Sequence, residues 1–89
     1  MFELTGKSAV ITGCSSGIRK ETARLLSRQG AAVTLVARRE SVLNELAEEL
    51  RAAGGRVLVM AGDITETGFP DAVCEKTAEE FGSVDILVN

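Results

Sequence analysis

Ala9-Val10-Ile11-Thr12-Gly13-Cys14-Ser15-Ser16-Gly17-Ile18-Arg19 is the stretch whose reading decides the fold. A short apolar run ends in a glycine turn, and a helical pattern begins at once. Strand, glycine turn, helix is the order in which α/β folds hold a phosphate. A helix N-terminus carries unbonded N–H groups and about half a positive charge, so it attracts anions. Gly13 permits the sharp turn, and Gly17 lets backbone approach an anion with no side chain between them. Two glycines four apart also fit an ordinary strand-to-helix loop, so the flanking sequence has to decide.

Outward from that turn, strands and helices alternate. Residues 7–12 read as a buried first strand. Ile18, Thr22, Leu25, Leu26 and Gln29 share one helical face, which predicts a helix over residues 18–29 with a narrow apolar stripe. Gly30 closes it. Residues 32–37 form a second strand, apolar at Val33, Leu35 and Val36. Ser41 is placed to cap the next helix, whose buried stripe is Leu43, Leu46, Ala47 and Leu50 and whose end is Gly54-Gly55. Residues 56–61 are a third strand and 62–68 a loop. Pro70 suits the first turn of a third helix over residues 70–81. Residues 84–88 are a fourth strand. Continuous apolar strands fit a sheet covered on both faces, and the β-α-β-α-β-α-β order predicts that it is parallel. Right-handed crossovers put the first two helices on one face. A strand order of 3-2-1-4 puts the third helix on the other.

The 89 residues are enough for one small domain, and the 45% hydrophobic content with three aromatics predicts an aliphatic core. A net charge of -3 without a basic patch argues against nucleic acid as a partner. The first six residues lack the charge and apolar run of a signal peptide, and no stretch approaches the roughly 20 apolar residues of a membrane span. A cytoplasmic location is expected. Cys14 and Cys74 follow no metal spacing and read as reduced thiols. Cys14 lies near a helix start, where a thiolate is favoured, but a small residue suits this loop sterically. The chain has no His, Tyr or Trp. That rules out His-based nucleophilic triads, histidine metal sites and a tyrosine acid within these residues. No catalytic or metal-binding residue is assigned.

The second informative site is Val36-Ala37-Arg38-Arg39, about 20 residues past the glycine turn, where a dinucleotide fold meets the adenosine ribose. An acid there would accept both ribose hydroxyls of NAD. Two arginines stand there instead, and a guanidinium can fork onto a 2′-phosphate, which favours NADP(H). Solvated loop charge is the competing reading, weaker for Arg38 than for Arg39. Asp63 follows the third strand, where a carboxylate could meet the adenine edge or simply fix a turn.

Together these residues resemble the short-chain dehydrogenase/reductase family. Its Thr-Gly-x-x-x-Gly-x-Gly motif is matched by residues 12–19 except at Arg19. Gly62-Asp63-Ile64-Thr65 is similar to the family's adenine-binding segment, and Val84-Asp85-Ile86-Leu87-Val88-Asn89 to the strand leading into its Asn-Asn-Ala-Gly motif. The resemblance spans the chain and implies a partial Rossmann fold over residues 1–89. By that resemblance Gly13, Ser15, Ser16, Gly17 and Ile18 line the phosphates, Arg38 takes the 2′-phosphate with Arg39 beside it, Asp63 and Ile64 hold adenine, and Asn89 borders the ribose. The cofactor implied is NADP.

Two departures from the family pattern matter, one in the cofactor motif and a larger one in the catalytic groups. Arg19 stands where close helix packing calls for glycine, so crowding is expected to weaken cofactor binding and Arg19→Gly to tighten it. Ser16 stands where some NADP-preferring members carry a basic residue, so Arg38 is expected to set the preference alone. The family's catalytic serine and Tyr-x-x-x-Lys pair have no counterpart here. The first reading is therefore the cofactor-binding N-terminal part of an oxidoreductase acting on alcohol or carbonyl groups, inactive alone. The alternative is a non-catalytic module that binds a nucleotide or associates with intact relatives through an open sheet edge. A P-loop NTPase is a poor alternative, because no Gly-Lys-Ser/Thr follows four residues after a glycine.

Overall fold

Seven elements alternate in the computed structural model, which describes residues 3–89. They are β1 (Ser8–Thr12), α1 (Gly17–Arg28), β2 (Ala32–Ala37), α2 (Glu40–Ala52), β3 (Val57–Ala61), α3 (Phe69–Phe81) and β4 (Ile86–Val88). Met1 and Phe2, part of the stretch read above as no signal peptide, lie outside the described residues. The four strands are all parallel in the order β3-β2-β1-β4, as expected from the sequence. Thr12 is level with Val36, Val36 with Met60, and Ile11 with Val88. The carboxyl ends of the strands therefore finish along one side. The chain leaves β1 towards β2 on one flank, and β4 lies on the other. That reversal opens a crevice beyond the strand ends, the usual ligand position in such sheets.

Alternation along β1 and β2 builds two cores. Ala9, Ile11, Val33 and Leu35 face α1 and α2 and pack with Ala23, Leu43, Leu46, Ala47 and Leu50. Val10 and Val36 face the other way and pack with Val73 of α3, backed by Met60, Ile64 and Phe69. On that second face the buried Thr34 and Thr77 hydroxyls lie 2.8 Å apart, and Thr77 Oγ1 donates to the Val73 carbonyl at 2.7 Å. A hydrogen-bonded pair lets two hydroxyls sit in an apolar layer without an unsatisfied group.

Four expectations need correcting. The α1 stripe is displaced: Ile18 is 80% and Leu25 51% exposed, while Ala23 is buried and Leu26 packs on the core. Arg24 reaches Glu49 on α2, so it marks the α2 flank. At 100° per residue the 18, 22, 25, 29 line falls opposite that flank, and the small Ala23 sets the approach of helix to sheet. Secondly, Ser41 lies inside α2; the cap position is Arg39, without a side-chain cap bond. Thirdly, full coverage holds for β1 and β2, whereas β3 and β4 are only partly buried. Finally, β4 is shorter than expected because Asp85 ties down its start with its side chain. The Asp85 carboxylate accepts from Ser8 N–H at 2.9 Å and Ser83 Oγ at 2.8 Å, and Ser8 Oγ donates to the Ser83 carbonyl. Those bonds hold the Asp85 carboxyl below the usual carboxylate range, the Ser83 hydroxyl most of all, then the Ser8 amide.

Candidate nucleotide site

The glycine turn is a turn and not a first coil of helix. Gly13 adopts φ +67°, a conformation that disfavours a side chain. Ser16 caps α1, its hydroxyl accepting from the Arg19 amide at 3.3 Å. Among the described residues, the N–H groups of Gly17 and Ile18 find no acceptor in the chain. A side chain added at Gly17 would meet nothing within 4 Å. No internal contact therefore requires glycine there, and the open space above the helix start fits a ligand group approaching those amides.

Beside this turn lies a cavity of about 540 Å³ at the carboxyl ends of β2 and β3. It brings together six of the residues singled out from sequence: Gly13, Ser15, Arg38, Arg39, Asp63 and Ile64. Four others lie elsewhere. Ser16 is occupied in capping, and Gly17 and Ile18 border a shallow groove on the opposite flank of α1 with Leu25. Asn89 stands at the end of β4, where its Oδ1 is 3.3 Å from Thr12 Oγ1.

Asp63 fixes a turn and faces the cavity at once. Its carboxylate accepts from Thr65 N–H at 2.9 Å and Thr65 Oγ1 at 2.6 Å, and pairs with Arg38 Nη2 at 3.2 Å. The Thr65 hydroxyl, then the Thr65 amide, hold its pKa below the usual carboxylate range, with Arg38 adding to the effect. Gly62 is needed for packing: an added Cβ would fall 2.5 Å from the Phe69 ring. Ile64 packs against the core of Val10, Val36 and Val73 and anchors the segment there.

Two features escaped the sequence reading. Lys20 lines the cavity with Arg38 and Arg39. It lies one turn beyond Ser16, to whose carbonyl its amide donates at 3.0 Å; helical spacing from the cap was the signal available. Arg19 does not crowd the sheet. Its guanidinium folds back over Gly13 and donates from Nη1 to the Thr12 carbonyl at 2.6 Å. Cys14 is buried, with Sγ bonded to the Ile11 carbonyl at 3.0 Å, and burial pushes its thiol pKa up. It is a packing residue. Among the described residues no group of His, Cys, Asp and Glu could hold a metal, and no helix is long and apolar enough to cross a membrane.

The chain is similar to known proteins in sequence and fold. The short chain dehydrogenase family pattern matches residues 7–89. A short chain dehydrogenase of Pseudocercospora fijiensis is 40% identical over 87 residues, covering 98% of this chain and 28% of that protein. The L-sorbose reductase of Gluconobacter frateurii, solved with NADPH and L-sorbose, is 44% identical with a TM-score of 0.90, over 99% of this chain and 34% of that one. A metagenomic short-chain oxidoreductase solved with NADP is 35% identical with a TM-score of 0.88, over 96% of this chain and 38% of that one. The chain thus spans about a third of the length of these relatives. With its parallel 3-2-1-4 sheet and the glycine turn at the head of α1, it belongs to the short-chain dehydrogenase/reductase family.

Proposed function

We propose that this chain is the NADP(H)-binding N-terminal portion of an oxidoreductase that moves hydride between the cofactor and an alcohol or carbonyl substrate. The single observation that carries the reading is the cavity shared by Gly13, Ser15, Arg38 and Asp63 beside the unbonded amides of α1. In this reading the α1 amides hold the diphosphate, Arg38 takes the 2′-phosphate, and Asp63 and Ile64 hold adenine. Asn89 borders the ribose. NADP(H), when bound, supplies the hydride chemistry; the 89 residues orient its adenosine end. The chain contains no Tyr, so the family's tyrosine proton donor has no counterpart in it, and hydride transfer by these residues alone is not expected. Two solved relatives hold NADP or NADPH, which is consistent with this choice.

Titration calorimetry tests the reading. NADPH is expected to bind more tightly than NADH, and Arg38→Ala to narrow the difference. A guanidinium–phosphate bond worth roughly 1.5–3 kcal/mol corresponds to about 10- to 150-fold in affinity. Equal affinities for the two dinucleotides would remove the role given to Arg38.

A further inference from the structure

We propose that Lys20 is the second cation for the 2′-phosphate and acts with Arg38 to set the preference for NADP(H). The proposal rests on the reading of the cavity as an NADP(H) cradle. Lys20 lies on the α2 flank of α1, and the fold carries it to the same cavity as Arg38 and Arg39.

Two neighbouring acids are already engaged. Glu49 on α2 feels the Lys20 charge, and both of its oxygens are taken by Arg24, at 2.6 and 3.1 Å. Glu21 is taken by Arg24 as well, at 2.6 Å. Lys20 lowers the Glu49 pKa only as the weakest of the contributions there. Among the described residues the Lys20 ammonium has no ion pair. Within the cavity, Asp63 is committed to Arg38 and Thr65.

Three cations, Lys20, Arg38 and Arg39, thus face one carboxylate, leaving two positive charges (3 minus 1) in the lining. A phosphate monoester carries about -1.5 to -2 charges near neutral pH. One 2′-phosphate would neutralise the cavity, whereas a bare ribose would leave it charged. Arg38 can donate to that phosphate from one side while Asp63 steadies it. A flexible ammonium in the same lining acts as a point charge and needs no fixed geometry.

The test compares adenosine 2′,5′-bisphosphate with 5′-AMP as probes, titrated against the 89-residue chain and its Lys20→Met and Lys20→Arg variants. Lys20→Met is expected to weaken the bisphosphate about tenfold, the lower end for a charge-assisted contact, and 5′-AMP less than about twofold. Lys20→Arg is expected to stay within about twofold for both probes. Equal losses for the two probes, or no loss for either, would overturn the role of Lys20 while leaving the cradle standing. A wild-type chain that binds the two probes equally, or binds neither, would overturn the NADP(H) reading and this proposal with it. Thermal melts of the three proteins guard the comparison, since a side chain at the cavity rim is expected to leave the melting temperature unchanged.

Discussion

Arg19→Ala probes the most unusual contact in the site, the guanidinium folded over the glycine turn. Arg19 Nη1 lies 2.6 Å from the Thr12 carbonyl and 3.5 Å from the Thr12 hydroxyl. Thr12 in turn donates towards the Val88 carbonyl and Asn89, so one side chain links α1 to the ends of β1 and β4. A hydrogen bond from a charged donor is worth about 1.5–3 kcal/mol, and the half-exposed position of Arg19 selects the lower end. Alanine returns only about 0.2 kcal/mol of helix propensity, for a net loss near 1 kcal/mol. Glycine loses propensity as well, for a total of roughly 2 kcal/mol. In a domain of this size each kcal/mol shifts the melting temperature by about 4–8 °C. Urea unfolding with thermal melts is the assay, and the expected order is wild type above Arg19→Ala above Arg19→Gly. The binding arm runs the other way. Both substitutions clear the space over Gly13, so NADPH is expected to bind the variants more tightly than wild type. An Arg19→Ala variant as stable as wild type would refute the structural role of the bond. Unchanged NADPH affinity would show that the guanidinium leaves the turn without penalty.

Three further outcomes are expected. Thr77→Val removes both the bond to Val73 and the acceptor for Thr34, leaving a buried hydroxyl unpaired; it should cost about 2 kcal/mol, against about 1 kcal/mol for Thr34→Val. Equal costs in urea melts would show that the pair has no direction. Asp85, Asp63 and Glu49 all have depressed folded-state pKa values. Their stabilisation is therefore present above the ordinary carboxylate range and is lost as pH falls through the lowered values. Asp85→Asn should flatten that acid-side loss, and an unchanged pH profile would discount the β4 clasp. The outer edge of β4 pairs with no strand among the described residues, and Leu87 is 56% exposed. Such an edge promotes self-association; sedimentation should show concentration-dependent species, and a monomer at all concentrations would contradict this.

The identity of all seven elements was legible because short apolar runs alternate with helical stripes along this chain, and the sheet order followed from the resemblance to a Rossmann fold. The α2 stripe of Leu43, Leu46, Ala47 and Leu50 was readable for the same reason. The α1 stripe was not. Ile18 and Leu25 have the spacing of a buried face, yet the approach to the sheet is set by Ala23, a residue too small to register in a count of large apolar side chains. Six cavity residues were found from motif position, since turn and strand-end positions are fixed by the fold. Lys20 was missed because it belongs to no motif; its place one turn beyond Ser16 was the only signal, and the cavity gave that place its meaning. Arg19 looked like a steric fault in one dimension. In three dimensions its long side chain has room to fold back, and a carbonyl at the end of β1 receives it.

The central claim is that one cradle, open amides at the head of α1 and cations beyond β2, holds a doubly phosphorylated adenosine. A crystal structure of the chain with adenosine 2′,5′-bisphosphate tests it most directly. The account predicts the 5′-phosphate on the Gly17 and Ile18 amides and the 2′-phosphate within hydrogen-bonding distance of Arg38. A nucleotide bound away from that turn, or a 2′-phosphate pointing into solvent with Arg38 still on Asp63, would contradict it.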